Sequence, residues 1–211
     1  MAFPTTAVLD SFDRADEGPP PSASWTSTGI ATAAPHLAVI SNLVRSNGSA
    51  HDGVYGTSFG PNCEVYVTVT TWAANTRTVR IYTRLAEEGN TTVDGYQASF
   101  QRDDTSTGGF ISLHRVDNNT ATQLGATVTD TGGVYAGGEK CGLASTGDTH
   151  EVWFNRGSWV SQMSRTDAAY AGAGHLGLRF GFTDMRGDDF GGGGVEVAAQ
   201  VPITVLHGNY W

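Results

Sequence analysis

The sequence predicts an all-β protein, a sandwich of antiparallel strands in two packed sheets. Three observations carry that prediction. Apolar and polar residues alternate with a period of two along several segments, no segment sustains a helical period, and turn residues punctuate the chain at short intervals. The 28 glycines fit such a chain, because tight turns between short strands need backbone conformations that glycine reaches without steric cost.

The elements follow in order. A first strand is expected over Ala7–Asp13, with Val8, Leu9 and Phe12 apolar. The run Arg14 to Pro21 ends it, since proline lacks the donor a central strand needs. Trp25 follows. In the middle of the chain Val65, Val67 and Val69 alternate with Tyr66, Thr68, Thr70 and Trp72. Val79, Ile81 and Leu85 alternate with Arg80, Tyr82 and Arg84. Tyr96, Ala98 and Phe100 alternate with Gln97, Ser99 and Gln101, and Ile111 and Leu113 with Ser112 and His114. Each set reads as a strand with one packed face and one wetter face. Downstream, Leu176, Leu178, Phe180 and Phe182 repeat the pattern, and Val195–Val201 is expected as a last strand. Asp167–Ala171 is expected to form at most one short turn.

The length of 211 residues suits one large β domain, here residues 1–201, with 202–211 as a C-terminal tail that closes the sandwich or docks on a partner. A net charge of −9 repels phosphate backbones and argues against nucleic-acid binding. No run of about 18 apolar residues is present to form a helical membrane span. The start, Met1 to Thr6, has no basic region followed by an apolar run, so synthesis without an export signal is expected. Cys63 and Cys141 lie far apart in sequence. Free buried thiols are the favoured expectation and a bridge the alternative.

The ordered series His150-Glu151-Val152-Trp153-Phe154, Asn155-Arg156-Gly157-Ser158, His175-Leu176-Gly177-Leu178-Arg179-Phe180 and Gly187-Asp188-Asp189-Phe190-Gly191-Gly192 resembles the closing half of the concanavalin A-like lectin/glucanase (laminin-G-like) superfamily. Asp10-Ser11-Phe12-Asp13-Arg14, the proline-rich loop and Trp25 resemble its opening. The resemblance covers roughly Ala7 to Val201 and implies a two-sheet antiparallel jelly roll whose first strand pairs with its last, here Val195–Val201. It extends to lectin-like domains of phage minor tail proteins.

The glucanase branch implied by that resemblance carries Glu-x-Asp-x-x-Glu along one strand, which sets an acid pair for a retaining mechanism. That spacing is absent, so no enzymatic activity is expected. The six histidines, His36, His51, His114, His150, His175 and His207, stand away from any Gly-x-Ser-x-Gly elbow. No cofactor is expected. A structural calcium stays open, with Asp10, Asp13, Asp188 and Asp189 able to approach one another if the terminal strands pair.

The wetter strand faces offer Tyr66, Trp72, Arg80, Tyr82, Arg84, Gln97, Gln101 and His114 as one patch. Aromatic platforms and amides suit a glycan. Arg, Tyr and Trp equally suit a face between subunits, or an unliganded second face. The expectation that follows is a non-enzymatic phage virion protein, in the tail or decorating the capsid. Its partners would be other virion proteins, further copies of itself and a host-surface glycan. A cellular carbohydrate-binding module or secreted lectin is the alternative, and a glycoside hydrolase the third.

Overall fold

The computed structural model of the protein describes residues 2–26, 37–48, 51–74, 77–88, 92–104 and 108–196. Those residues form two eight-stranded antiparallel sheets and no helix. Numbered in chain order, sheet I contains β1 (Val8–Asp10), β3 (Leu37–Ile40), β4 (Leu43–Ser46), β6 (Cys63–Thr71), β12 (Glu139–Thr146), β13 (Thr149–Asn155), β14 (Trp159–Thr166) and β16 (Arg186–Gly194). Sheet II contains β2 (Trp25–Thr26), β5 (His51–Phe59), β7 (Thr78–Glu88), β8 (Thr92–Asp103), β9 (Gly108–Asp117), β10 (Thr120–Gln123), β11 (Val128–Asp130) and β15 (Gly174–Phe180). Sheet I runs β14-β13-β12-β6-β16-β4-β3, with β1 on β16; sheet II runs β10-β9-β8-β7-β15-β5-β2, with β11 on β9. The all-β, two-sheet jelly-roll expectation holds.

The interior lies between the sheets. Sheet I contributes Val65, Val67, Val69, Leu143 and Val152; sheet II contributes Val79, Ile81, Ala98, Phe100, Ile111, Leu113, Leu176, Leu178 and Phe180, all fully buried in one cluster. Fully burying such a side chain stabilises the fold by about 1.5–3 kcal/mol. The period-two reading of these segments is therefore the packing pattern itself.

One end of the sandwich explains the opening motif. The Asp10 carboxylate accepts from Arg14 Nη1 (2.6 Å), the Phe12 amide (2.9 Å) and Trp25 Nε1 (2.8 Å). Trp25 in turn packs on Phe12 and Phe190. Burial works against the charged form of Asp10, but those bonds outweigh it and hold the carboxyl below its ordinary range.

Several expectations change. The partner of β1 is β16, not Val195–Val201; residues 195 and 196 lie past the strand, and 197–211 fall outside the described residues, the tail with them. The glycine-rich close is itself a central strand between β6 and β4. Its missing side chains make room for others: a Cβ on Gly191 would sit 2.1 Å from the Tyr66 ring, and one on Gly187 would sit 2.5 Å from Phe180. The first strand ends at Asp10 because Phe12 takes a positive φ of 54°. Asp167–Ala171 forms no helical turn; Asp167 instead accepts the Ala169 amide. Phe182, expected to continue the pattern of Leu176, Leu178 and Phe180, lies past the end of β15 and is exposed, with the Arg77 guanidinium over its ring.

The cysteines are both free and buried. They sit on adjacent strands, but Cys63 lies opposite Ser145 and Cys141 opposite Val67. A four-residue offset is about 13 Å along a strand, well beyond the roughly 7 Å Cα limit for a bridge. Burial pushes both thiols up, Cys63 to about 11.

Candidate functional site

Because Val79, Ile81, Ala98, Phe100, Ile111 and Leu113 face the interior, their alternates face out from sheet II. Antiparallel register then aligns them in ranks. One rank runs Asp52, Arg179, Arg80, Ser99, Ser112 across β5, β15, β7, β8 and β9. The next runs Val54, Gly177, Tyr82, Gln97, His114, Gln123 and reaches β10. Gln101 lies opposite Phe110 in the rank on the other side of Ser99 and Ser112.

Over these ranks lies an open groove of about 550 Å³. Its floor and walls are Arg80, Gln97, Ser99 and Gln101 from β7 and β8, Phe110, Ser112 and His114 from β9, and Ala121, Gln123 and Thr127 on the far side. Phe110 is exposed, which leaves an aromatic wall in reach of a ligand. The His114 Nε2 lies 2.8 Å from Ser112 Oγ, while Nδ1 is buried without a partner. Burial, then the Arg80 charge, pushes the imidazole below its ordinary range, so it is neutral at pH 7. No carboxylate is among these lining residues.

Of the residues singled out from sequence, Arg80, Gln97, Gln101 and His114 come together in this groove. Four do not join it, Trp72, Arg84, Tyr82 and Tyr66. Trp72 follows the end of β6, where strand parity no longer applies. Its indole is buried against Tyr135, with Nε1 donating to Glu139 Oε2 at 3.0 Å. Arg84 sits in a β-bulge with a φ of +54°, where β7 slips against β8 between Thr83 and Ala86. It is buried and donates to the carbonyls of Pro61, Gly147 and Tyr170 at 2.6, 2.6 and 2.8 Å. It therefore clamps three loops and is not available to a glycan. Tyr82 does point outward, but it is buried beside the groove in a small cluster with Val54, Leu85 and Val93, its phenol 3.3 Å from Asp52 Oδ1. Leu85, expected with Val79 and Ile81, is on this outer face because the bulge reverses the parity. Tyr66 belongs to the other sheet, under the N-terminal segment, its hydroxyl donating to the Thr6 carbonyl.

Ser99, Phe110, Ser112 and Gln123 line the groove and were not singled out. Ser99 and Ser112 were readable as alternates of buried residues; Phe110 and Gln123 needed the register of β9 with β8 and β10.

Other polar groups resolve differently. His150 is fully buried, with Nδ1 2.9 Å from Ser145 Oγ and Nε2 3.0 Å from the Asp167 carbonyl, and its ring stacks on Tyr96. It is a satisfied core histidine, walled off from any substrate. Asp13, Asp188 and Asp189 do gather with Asn42 and Ser11 around a surface hollow of about 450 Å³, while Asp10 is taken up by Arg14 and Trp25. Burial, then the charges of Asp189, Asp13 and Asp10, pushes the Asp188 carboxyl up. Among the described residues, no group of three or more His, Cys, Asp or Glu side chains is disposed to hold a metal ion. Among those residues, too, no helix is long and apolar enough to cross a membrane.

No family model matches the chain, and no curated protein matches its sequence. Solved structures do. The calcium- and Man2-bound exoplasmic/lumenal domain of VIP36 superposes with a TM-score of 0.59 at 13% identity, over 93% of this chain and 90% of that one. LamA from Z. galactanivorans, in complex with laminaritriose and laminaritetraose, gives 0.57 at 15% identity, over 90% and 99%. The CBM2 module of the evolved Dit of Lactobacillus casei BL23 phage J-1 gives 0.54 at 13% identity, over 92% and 98%. Two antiparallel sheets in this order, superposing on lectin, glucanase and carbohydrate-module structures over nine-tenths of the chain, make this the concanavalin A-like lectin/glucanase jelly-roll fold.

Proposed function

We propose that this chain is a non-catalytic glycan-binding protein that holds saccharide in the outer groove of sheet II. One observation carries the reading: the groove presents amides, hydroxyls, a guanidinium and an exposed aromatic edge on a rigid sheet, without a carboxylate. Amides and hydroxyls pair with sugar hydroxyls, and an aromatic edge takes the apolar face of a ring. Glycoside hydrolysis needs two carboxyl groups about 5–9.5 Å apart across the bond. Asp52, an acid in register with Arg179 and Arg80 on this sheet, is buried and paired to Arg179. The similarity to LamA, a laminarin-oligosaccharide complex, supports saccharide in such a fold without supplying that pair here.

We place the protein in a bacteriophage virion, as a tail or capsid-decorating adhesion component that assembles with other virion proteins and with copies of itself. The similarity to a phage Dit module supports this. The similarity to VIP36 favours a second reading, a cellular lectin. Mass spectrometry of purified particles from the source separates them; a source whose particles never contain the chain leaves the lectin reading.

For the groove, a glycan array with the purified chain is the test. The wild type retains one or more glycans, and Gln101→Ala with Phe110→Ala lowers that retention about tenfold or more at an unchanged melting temperature. Equal retention by the folded double variant would remove the groove from the proposal. Turnover of any polysaccharide, abolished by one carboxylate change, would restore the hydrolase.

A further inference from the structure

Resting on that glycan-binding reading, the groove also carries information about charge. Arg179 and Arg80 are neighbours across the β7–β15 ladder, and Asp52 faces Arg179 across the β5–β15 ladder. Asp52 Oδ2 accepts from Arg179 Nη1 at 3.1 Å, and its other oxygen takes the Tyr82 hydroxyl. Arg80 forms no ion pair with any described residue, and its Nε is buried with no hydrogen-bond partner. One carboxylate thus serves two guanidiniums, and the positive charge left over lines the groove. The remaining lining groups are neutral, and His114 contributes a second buried nitrogen without a partner. All this sits in a chain whose net charge is −9.

A buried donor left unpaired costs free energy unless a ligand completes it. A guanidinium is matched best by a planar carboxylate or a phosphate, which takes two parallel N–H bonds. A neutral sugar offers hydroxyls, which can accept but bring no charge to Arg80. We propose that the groove selects a saccharide bearing an anionic group, a uronate carboxylate or a phosphodiester, and that Arg80 is the residue that selects it.

The test is isothermal titration calorimetry on the full chain at pH 7 with three probes of similar length: a neutral β-glucan hexamer, an oligogalacturonate hexamer and a glycerol-phosphate oligomer. The expected result is that one anionic probe binds at least about tenfold more tightly than the neutral one, the size of a single charged hydrogen bond. Which anionic probe wins tells carboxylate from phosphodiester. Arg80→Gln should abolish that preference. Arg80→Lys, which keeps the charge and loses the fork, should retain only part of it, and it serves if the glutamine variant does not fold. Neutral binding as tight as anionic, or a preference that survives in a folded Arg80→Gln variant, overturns the proposal. If the array retains only neutral glycans, the anionic assignment fails and the glycan reading stands. If it retains none, both fail.

Discussion

Asp52 and Arg179 face each other across neighbouring strands, Nη1 3.1 Å from Oδ2, with Asp52 only 1% exposed. Burial pushes the Asp52 carboxyl up to about 6, against the opposing pull of Arg179 and Arg80. The folded chain therefore holds this proton more tightly than the unfolded chain, whose ordinary value is 3.8. Stability from this group is fully present below about pH 4 and is lost as pH rises through about 6. At about 1.36 kcal/mol per pH unit, the step is about 3 kcal/mol at most. Denaturant midpoints measured from pH 4 to 7.5 should show it, and Asp52→Asn should flatten it. Asp188, also pushed up, adds a step of the same sign, so Asp188→Asn is the control. A profile that Asp52→Asn leaves unchanged would place the step elsewhere.

Arg84 holds three loop carbonyls at once. Replacing it with Met should cost at least about 3 kcal/mol in guanidinium unfolding, since bonds to a charged donor are each worth about 1.5–3 kcal/mol. Lys, with one compact head, should recover only part. Glycan retention by the folded fraction should match wild type; a selective loss of retention would return Arg84 to the binding face.

Phe3 covers Gly142. Its ring stacks on Trp153 at 5.2 Å and meets Trp159 edge-on at 4.8 Å, and a Cβ on Gly142 would sit 2.4 Å from the ring. Gly142→Ala should displace the ring and shift tryptophan emission. Phe3→Ala alone should cost about 2 kcal/mol from lost burial. The double variant should be less damaged than the sum of the singles, because the clash needs the ring. Additive losses would mean that the strand itself, not the ring, yields to the methyl.

Both thiols should resist a disulfide reagent in the native state and react at once in denaturant, with two thiols titrated per chain. Burial and the raised thiol values remove the thiolate that does the attacking. Fast native labelling of Cys63 would show that the Arg84 corner opens.

Much of this was legible where one residue in two is buried. Val65 to Val69, Ala98 to Phe100 and Ile111 to Leu113 announced their strands and the face each side chain takes, and so brought Arg80, Gln97, Gln101 and His114 to one surface. Parity counting fails where the count itself changes. The bulge at Arg84 turns Leu85 outward, and the end of β6 at Thr71 frees Trp72 to turn inward. Neither event has a local signature, since each is set by a partner strand or by Tyr135, more than sixty residues later. Gly191 to Gly194 carry no alternation to count, so β16 is visible only once Tyr66 is seen filling the space.

The separation of faces on β8 and β9 has a consequence for how such a protein changes over generations. Positions 97, 99, 101, 112 and 114 can be rewritten without disturbing the neighbouring positions that hold the sheets together. Groove chemistry and foldability are then spelled in alternate letters of the same words, and a lineage can drift in one while standing still in the other.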